Sequence, residues 1–255
     1  MTETNNKLRF LNGNALKFIA CASMLIDHMG VILFPEYDIF RILGRIAFPV
    51  FAFMIAEGCR YTRNKLKHFL MIFGLGILCQ IVYIVSDYRS GISYMNILIT
   101  FSFSIGTIYA LQLLKAQMFS KKVKALPIIG AALLFVGAVV STYVFNVFIE
   151  LDYGFTGAML PVIASAFMFD PRSEHKARKY LDKNIFHVLC LAVGLVLLFI
   201  ESLNPVKYYA LIALIPLLFY SGKRGKLNTK YFFYIFYPLH LGVLYIISYL
   251  IYYLA

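Results

Sequence analysis

Apolar residues come in long, nearly unbroken runs, separated by short polar gaps that carry most of the lysine and arginine. A bilayer core needs roughly 20 consecutive apolar residues per helix. On that ruler the chain predicts nine spans, at about 15–34, 42–59, 69–86, 96–117, 127–149, 154–169, 185–203, 207–221 and 231–253. The sixth and eighth are short. The expected fold is an all-α polytopic helix bundle forming a single domain over residues 1–255. The longest polar segment, Asp170 to Asn184, is too short to build a separate soluble core. The first run, Ala15 to Phe34, is too long for the apolar part of a signal peptide and lacks a small-residue cleavage site, so it reads as a span. No internal repeat and no low-complexity segment is present.

Charge gives these spans a direction. Twenty of the 24 lysines and arginines lie before or at the start of the first span, or follow the second, fourth, sixth and eighth. Arg41, Arg89 and Lys207 lie on the other side, and Arg45 falls inside the second span. Cytoplasmic loops carry the excess of positive charge, so the N-terminus is expected inside and the C-terminus outside. Composition agrees: 61% of residues are hydrophobic and 14% charged, whereas soluble domains run nearer half and a quarter. In a soluble chain a net charge of +12 would suggest nucleic acid. Here the charges sit in short loops, which points to topology. The lipid bilayer is therefore the expected partner, and nucleic acid is not. Cys21, Cys59, Cys79 and Cys190 lie in or beside apolar runs without metal-ligand spacing, and read as small packing residues.

Ionisable side chains inside a span are costly, and mark function by default. Five stand out: Asp27 and His28 in the first span, Arg45 and Glu57 in the second, and His240 in the ninth. His28 lies roughly 5 Å outward of its span's centre and His240 near its own centre, so the two meet if the first and ninth helices pack together. Histidine is the side chain best suited to move a proton near neutral pH. Adjacent helical residues point about 100° apart, so Asp27 is expected to pair with Arg45 rather than orient His28. A plain interhelical ion pair is the structural alternative. Glu57 sits near the cytoplasmic edge, where snorkelling toward Arg60 and Arg63 is expected. Tyr234, Tyr237 and His240 share a helix face, which either lines a cavity or packs. Pro49, Pro161, Pro216 and Pro238 fall inside spans and can free backbone carbonyls. The basic loop Ser221 to Lys226 has room for the phosphates of a nucleotide-like donor, but lacks Walker spacing.

The blocks Met24-Leu25-Ile26-Asp27-His28-Met29-Gly30 and Leu43-Gly44-Arg45-Ile46-Ala47-Phe48-Pro49 resemble signatures of the TraX family. Glu57-Gly58, Asn96-Ile97-Leu98, Asp152-Tyr153-Gly154, the Tyr220–Gly225 loop and Phe236-Tyr237-Pro238-Leu239-His240 match further, in order, along nearly the whole chain. Ser221 stands where asparagine is expected. That family is named for a conjugation protein that N-acetylates pilin, and it belongs with the membrane acyltransferase-3 superfamily. The resemblance implies a bacterial cytoplasmic-membrane enzyme that moves an acyl group, expected to be acetyl from acetyl-CoA, to an amine or hydroxyl of a peptide or glycan acceptor. It implies His28 as general base, Asp27 and Arg45 as electrostatic partners with Arg45 near the developing oxyanion, and His240 as a second proton-handling group or acyl relay. Arg60, Arg63, Lys223, Arg224 and Lys226 would receive the CoA phosphates. Glu57, Tyr237 and Asn96 would line the pocket. A homo-oligomer stays open. Two other readings fit the same residues: a proton-coupled transporter or flippase, and a non-catalytic assembly factor for pili or surface polymers.

Overall fold

The computed structural model describes residues 9–86, 94–120, 123–173, 176–200, 204–227 and 229–254. Lys7, Arg89, Lys121 and Lys122 of the charge pattern, and positions 201–203 of the seventh predicted span, lie outside the described residues. The helices are α1 (Gly13–Ile32), α2 (Asp38–Gly44), α3 (Ala47–Tyr61), α4 (Lys65–Ser86), α5 (Ile97–Met118) and α6 (Ala125–Phe148). They continue as α7 (Gly154–Ala164), α8 (Lys176–Leu181), α9 (Asn184–Ile200), a 3-10 helix (Pro205–Ala213), α10 (Leu214–Leu218) and α11 (Lys230–Leu254).

Six helical stretches among the described residues are long and apolar enough to cross a bilayer: Gly13–Ile32, Asp38–Tyr61, Lys65–Val85, Ile97–Met118, Ala125–Phe148 and Tyr231–Ile251. The sixth, seventh and eighth predicted spans appear as shorter apolar helices, Gly154–Ala164, Asn184–Ile200 and Pro205–Leu218. At 1.5 Å rise per residue, α7 is only about 16 Å long, roughly half a hydrocarbon core. The chain is thus a multi-pass membrane helix bundle. One element escaped the helical reading, a parallel pair of two-residue strands, β1 (Tyr94–Met95) and β2 (Glu150–Leu151).

The second predicted span is broken between α2 and α3. Pro49 has no N–H to give the Arg45 carbonyl. The Ser23 hydroxyl of α1 donates to the carbonyls of Leu43 (2.6 Å) and Gly44 (3.1 Å), so the break leaves these groups satisfied. Gly44 lets α2 approach α1 closely, since a Cβ there would stand 2.2 Å from Asp27 Oδ1.

The buried core lies where α3, α5, α7 and α9 meet, around Val50, Phe53, Ile105, Leu160 and Leu191. In lipid no hydrophobic force drives helices together, so close packing and interhelical hydrogen bonds hold them. Ser104 of α5 donates to the Ala158 carbonyl of α7 at 2.7 Å. Such bonds contribute about 0.6–2 kcal/mol each. The α6 helix instead turns Leu126, Leu133, Val136, Val140 and Phe148 outward, an apolar surface suited to lipid tails.

Candidate functional site

His28 and His240 come from opposite ends of the sequence, and α1 and α11 bring them together. His240 Nε2 lies 2.9 Å from His28 Nδ1. His240 Nδ1 lies 2.8 Å from the Phe236 carbonyl, which can only accept. Hydrogen-bond geometry therefore assigns the protons. His240 donates from Nδ1, and its Nε2 accepts from the Nδ1–H of His28. His28 also bonds the Met24 carbonyl, which can only accept, and the remaining lone pair of the couple then falls on His28 Nε2. The Phe236 ring stacks on His240 (5.0 Å, 12°) and Tyr237 meets it edge-on at 5.6 Å, so the ring cannot readily turn.

Beside this pair, Asp27 closes on two arginines. Arg41 Nη1 donates to Asp27 Oδ2 at 2.8 Å, and Arg45 Nη2 stands 3.5 Å from Oδ1. Arg45, 8% exposed, also donates from Nη1 to the Tyr153 hydroxyl at 3.2 Å. Sequence reasoning paired Asp27 with Arg45 and placed Arg41 in a loop. The nearer partner is Arg41, because α2 is a separate helix that begins at Asp38 and lies along α1. A carboxylate one residue before a histidine, with one arginine three positions before Gly44 and a second four positions before Pro49, was the available signal. Asp152 stands near the same cluster at the loop before α7. Part of it is exposed, yet burial among apolar groups pushes its carboxyl up to about 7, against the opposing pull of Arg45 and Lys207.

Toward the lysine-rich end a cavity of about 590 Å³ opens between α1, α3, α4, α5 and α11. Its mouth holds Asn14, Lys17, Thr62, Arg224 and Thr229. Its deeper wall is apolar, with Met24, Phe51, Leu75, Phe101 and Tyr237. Met24 is four residues before His28 and Tyr237 three before His240, so the floor lies one helical turn from the histidine pair. Among the described residues no carboxylate lies within ion-pair distance of Lys17 or Arg224. The Lys17 ammonium sits over the Phe233 ring at 5.4 Å. The loop carrying Arg224 is fixed to the first turn of α1: the Gly13 and Asn14 amides donate to the Lys223 and Arg224 carbonyls at 2.7 and 3.0 Å. Gly225, at φ +96°, lies against Asn12, where a Cβ would come 2.7 Å from Oδ1. Lys17, which sequence reasoning counted only as a topological charge, is thus a cavity residue.

The other expected site residues divide. Arg224, Glu57 and Tyr237 line the cavity. Lys223 and Lys226 line a smaller hollow with Arg9 on the other side of the loop. Arg63 is exposed. Arg60 is held inside: Nη2 donates to Asp182 Oδ2 at 2.6 Å and Nε to the Phe169 carbonyl at 3.0 Å. His187 Nε2 lies 3.0 Å from the other oxygen of that buried carboxylate, so Arg60 is a brace between α3 and the segment after α8. Glu57 meets Arg60 as expected, with Arg60 Nη1 3.5 Å from Oε2, but it does so inside rather than at the surface: it is 4% exposed and accepts from the Tyr220 hydroxyl at 3.0 Å, because the loop before α11 folds over it. Asn96 caps α5 through the Leu98 amide and bonds the Gly76 carbonyl and Gln80, so its place is structural and off the cavity.

A multi-pass helix bundle with a cation-mouthed cavity ending beside a partly buried histidine pair is the class that fold and site define. The chain belongs to the TraX family: the family model described as TraX protein matches residues 12–248. The chain is 25% identical over 252 residues to a protein of Dichelobacter nodosus named probable fimbrial assembly protein FimC, serogroup H1, spanning 90% of this chain and 92% of that one. It is 43% identical over 60 residues to an uncharacterized protein of Rickettsia prowazekii, spanning 24% of this chain and 23% of that one. No solved structure matches the chain.

Proposed function

We propose that the protein is an integral-membrane acyltransferase that takes an acetyl group from cytoplasmic acetyl-CoA and passes it to an amine or hydroxyl acceptor. The observation that carries this reading is the cavity. Two cations without a carboxylate partner, Lys17 and Arg224, stand at its mouth, and the apolar wall leads to the histidine pair. Lys17 is half-buried and Arg224 exposed at the opening, and cations without a built-in counter-charge favour an anionic ligand. The apolar depth suits a pantetheine-like arm and a thioester. Lys223, Lys226 and Arg9 flank the mouth and extend the basic surface.

In this mechanism the acceptor's nucleophilic atom attacks the thioester carbonyl. His28 Nε2 takes its proton as the new C–N or C–O bond forms. His240 holds the His28 ring by accepting from Nδ1–H, and stabilises the imidazolium that results. Collapse of the tetrahedral intermediate breaks the C–S bond, and the leaving CoA thiolate receives the proton from His28. Asp27, Arg41 and Arg45 set the field beside the reacting carbonyl, with Arg45 fixed in place by Tyr153. The test is thiol release from acetyl-CoA by purified protein with a free-amine peptide, alongside mass detection of the acetylated product. Acetyl-CoA-dependent product supports the reading. Acceptor-independent flux of a solute across liposomes, with no product, favours a transporter instead.

The relative named for fimbrial assembly supports a second reading, in which this chain serves pilus assembly without chemistry. That reading expects conservative replacement of His28 to leave assembly intact.

A further inference from the structure

In the block Asp152-Tyr153-Gly154 only Tyr153 enters the transfer described so far, by holding Arg45, and the turn itself is strained. Tyr153 has φ +61°, the only positive value at a described non-glycine residue. An aromatic side chain there is strained and persists only where its surroundings hold it. Here they do. The Tyr153 ring stacks on Phe48 at 3.9 Å, and its hydroxyl accepts from Arg45. Gly157 leaves it room, since a Cβ there would come 2.3 Å from the Tyr153 Cβ. Gly154 takes a second left-handed position at φ +66°.

The turn fixes Asp152. Its amide donates to the Met95 carbonyl at 3.0 Å, and its carbonyl accepts from Thr100 Oγ1 at 3.2 Å. Its carboxylate accepts from the Tyr153 amide, and faces Arg45, Lys207 and Asp27. Tyr83 of α4 and Tyr237 of α11 face it as well, and Tyr237 is the residue that closes the cavity floor beside His240. Asp27 is occupied by Arg41 and Arg45. Among the described residues Asp152 has no ion-pair partner.

We propose that Asp152 takes the proton that an acceptor in its ammonium form sheds before it attacks, at the end of the bundle opposite the donor cavity. This rests on the transferase reading. An ammonium has two protons to lose. The first goes to the Asp152 carboxylate and leaves the nitrogen with a lone pair. The second leaves during attack, passes through His28 Nε2, and ends on the CoA thiolate. Ammonium and thioester thus give amide, CoA thiol and one proton, which Asp152 releases to solvent through its exposed side. Arg45 and Lys207 aid the first step, because a cationic surround disfavours the ammonium form. A carboxyl held near pH 7 accepts that proton and returns it.

The test uses full-length protein in detergent micelles with acetyl-CoA. One probe is triglycinamide; the other is its analogue with a hydroxyl in place of the terminal amine. Asp152→Asn is expected to slow the amine reaction by about 10²-fold or more. Its pH limb should move from near 7 up to the amine's own ionisation at about 8. The hydroxyl probe, with no ammonium proton to shed, and the affinity for acetyl-CoA should be unchanged. Asp152→Glu should restore part of the amine rate. Infrared titration of the wild-type carboxyl band, missing in Asp152→Asn, checks the same proton without turnover. An unchanged amine rate and profile, or equal losses on both probes, would overturn the assignment. A wild type inactive on both probes would instead remove the transferase reading, and this proposal with it.

Discussion

At the lysine-rich end, Lys17 and Arg224 face a cavity in which, among the described residues, no carboxylate lies within ion-pair distance of them, whereas beyond the histidine pair Arg41 and Arg45 close on Asp27 and Tyr153. Both regions carry cations. The difference is in where the counter-charge comes from. A buried ion whose partner is built into the fold serves as structure, and breaking it is costly. A cation whose partner is missing from the fold is held ready for a ligand. Arg60 and Arg224 make the same contrast within one end: the first is locked to Asp182, the second has no carboxylate within ion-pair distance among the described residues.

The largest expected effect breaks the chemistry and spares both charge clusters. His28→Ala should lower acetyl transfer by about 10³-fold or more while leaving acetyl-CoA affinity intact. Thiol release read beside calorimetry separates the two, and a folded variant at full rate would remove His28 as the base. Next, Asp27→Ala should destabilise the protein by on the order of 2–3 kcal/mol, between the values for buried and exposed pairs, because it strands Arg41 and Arg45. Thermal unfolding in detergent reads this. Lys17→Ala removes a cation that has no such partner, so it should leave the melting temperature level or raise it. A drop as large as that of Asp27→Ala would erase the distinction between the two regions.

A pH effect sharpens the comparison at Asp152. Its carboxyl is raised in the fold from 3.8 to about 7, so the native state binds the proton more tightly than the unfolded chain does. Stability from this group is full below about pH 4 and is lost as pH rises through about 7. Asp152→Asn should therefore melt higher than wild type at pH 8, with the gap closing toward pH 4. A variant that melts lower at pH 8 would contradict the burial described. The smallest effect is expected at the exposed pair of Asp170 and Arg172. The arginine's hydrogen bonds hold the Asp170 carboxyl below its usual range, but both groups are well solvated, and Asp170→Asn should not measurably shift melting at neutral pH.

Much of the architecture was legible because lipid imposes simple rules. Apolar run length marked the helices, and depth counted along α1 and α11 put His28 and His240 at compatible levels. What hid was set by breaks and loops. The Gly44–Pro49 break made α2 a separate helix, so Arg41 reached Asp27 ahead of Arg45. Glu57 read as an edge carboxylate because nothing in its own helix signals that Tyr220, 163 positions later, folds over it. Lys17 read as topology because a helix-start lysine looks the same whether it meets water or a cavity. The strain at Tyr153 is invisible in a pattern of polarity, since the residue before a glycine is usually unconstrained.

The most direct measurement is calorimetric titration of the purified protein with acetyl-CoA, set beside the Lys17→Ala/Arg224→Ala variant and with ATP as control. The account predicts selective binding by the wild type and at least a tenfold weaker Kd, about 1.4 kcal/mol, in the variant. A well-folded wild type that does not bind acetyl-CoA, or a variant that binds it equally well, would contradict the claim that the unpaired cations receive the donor.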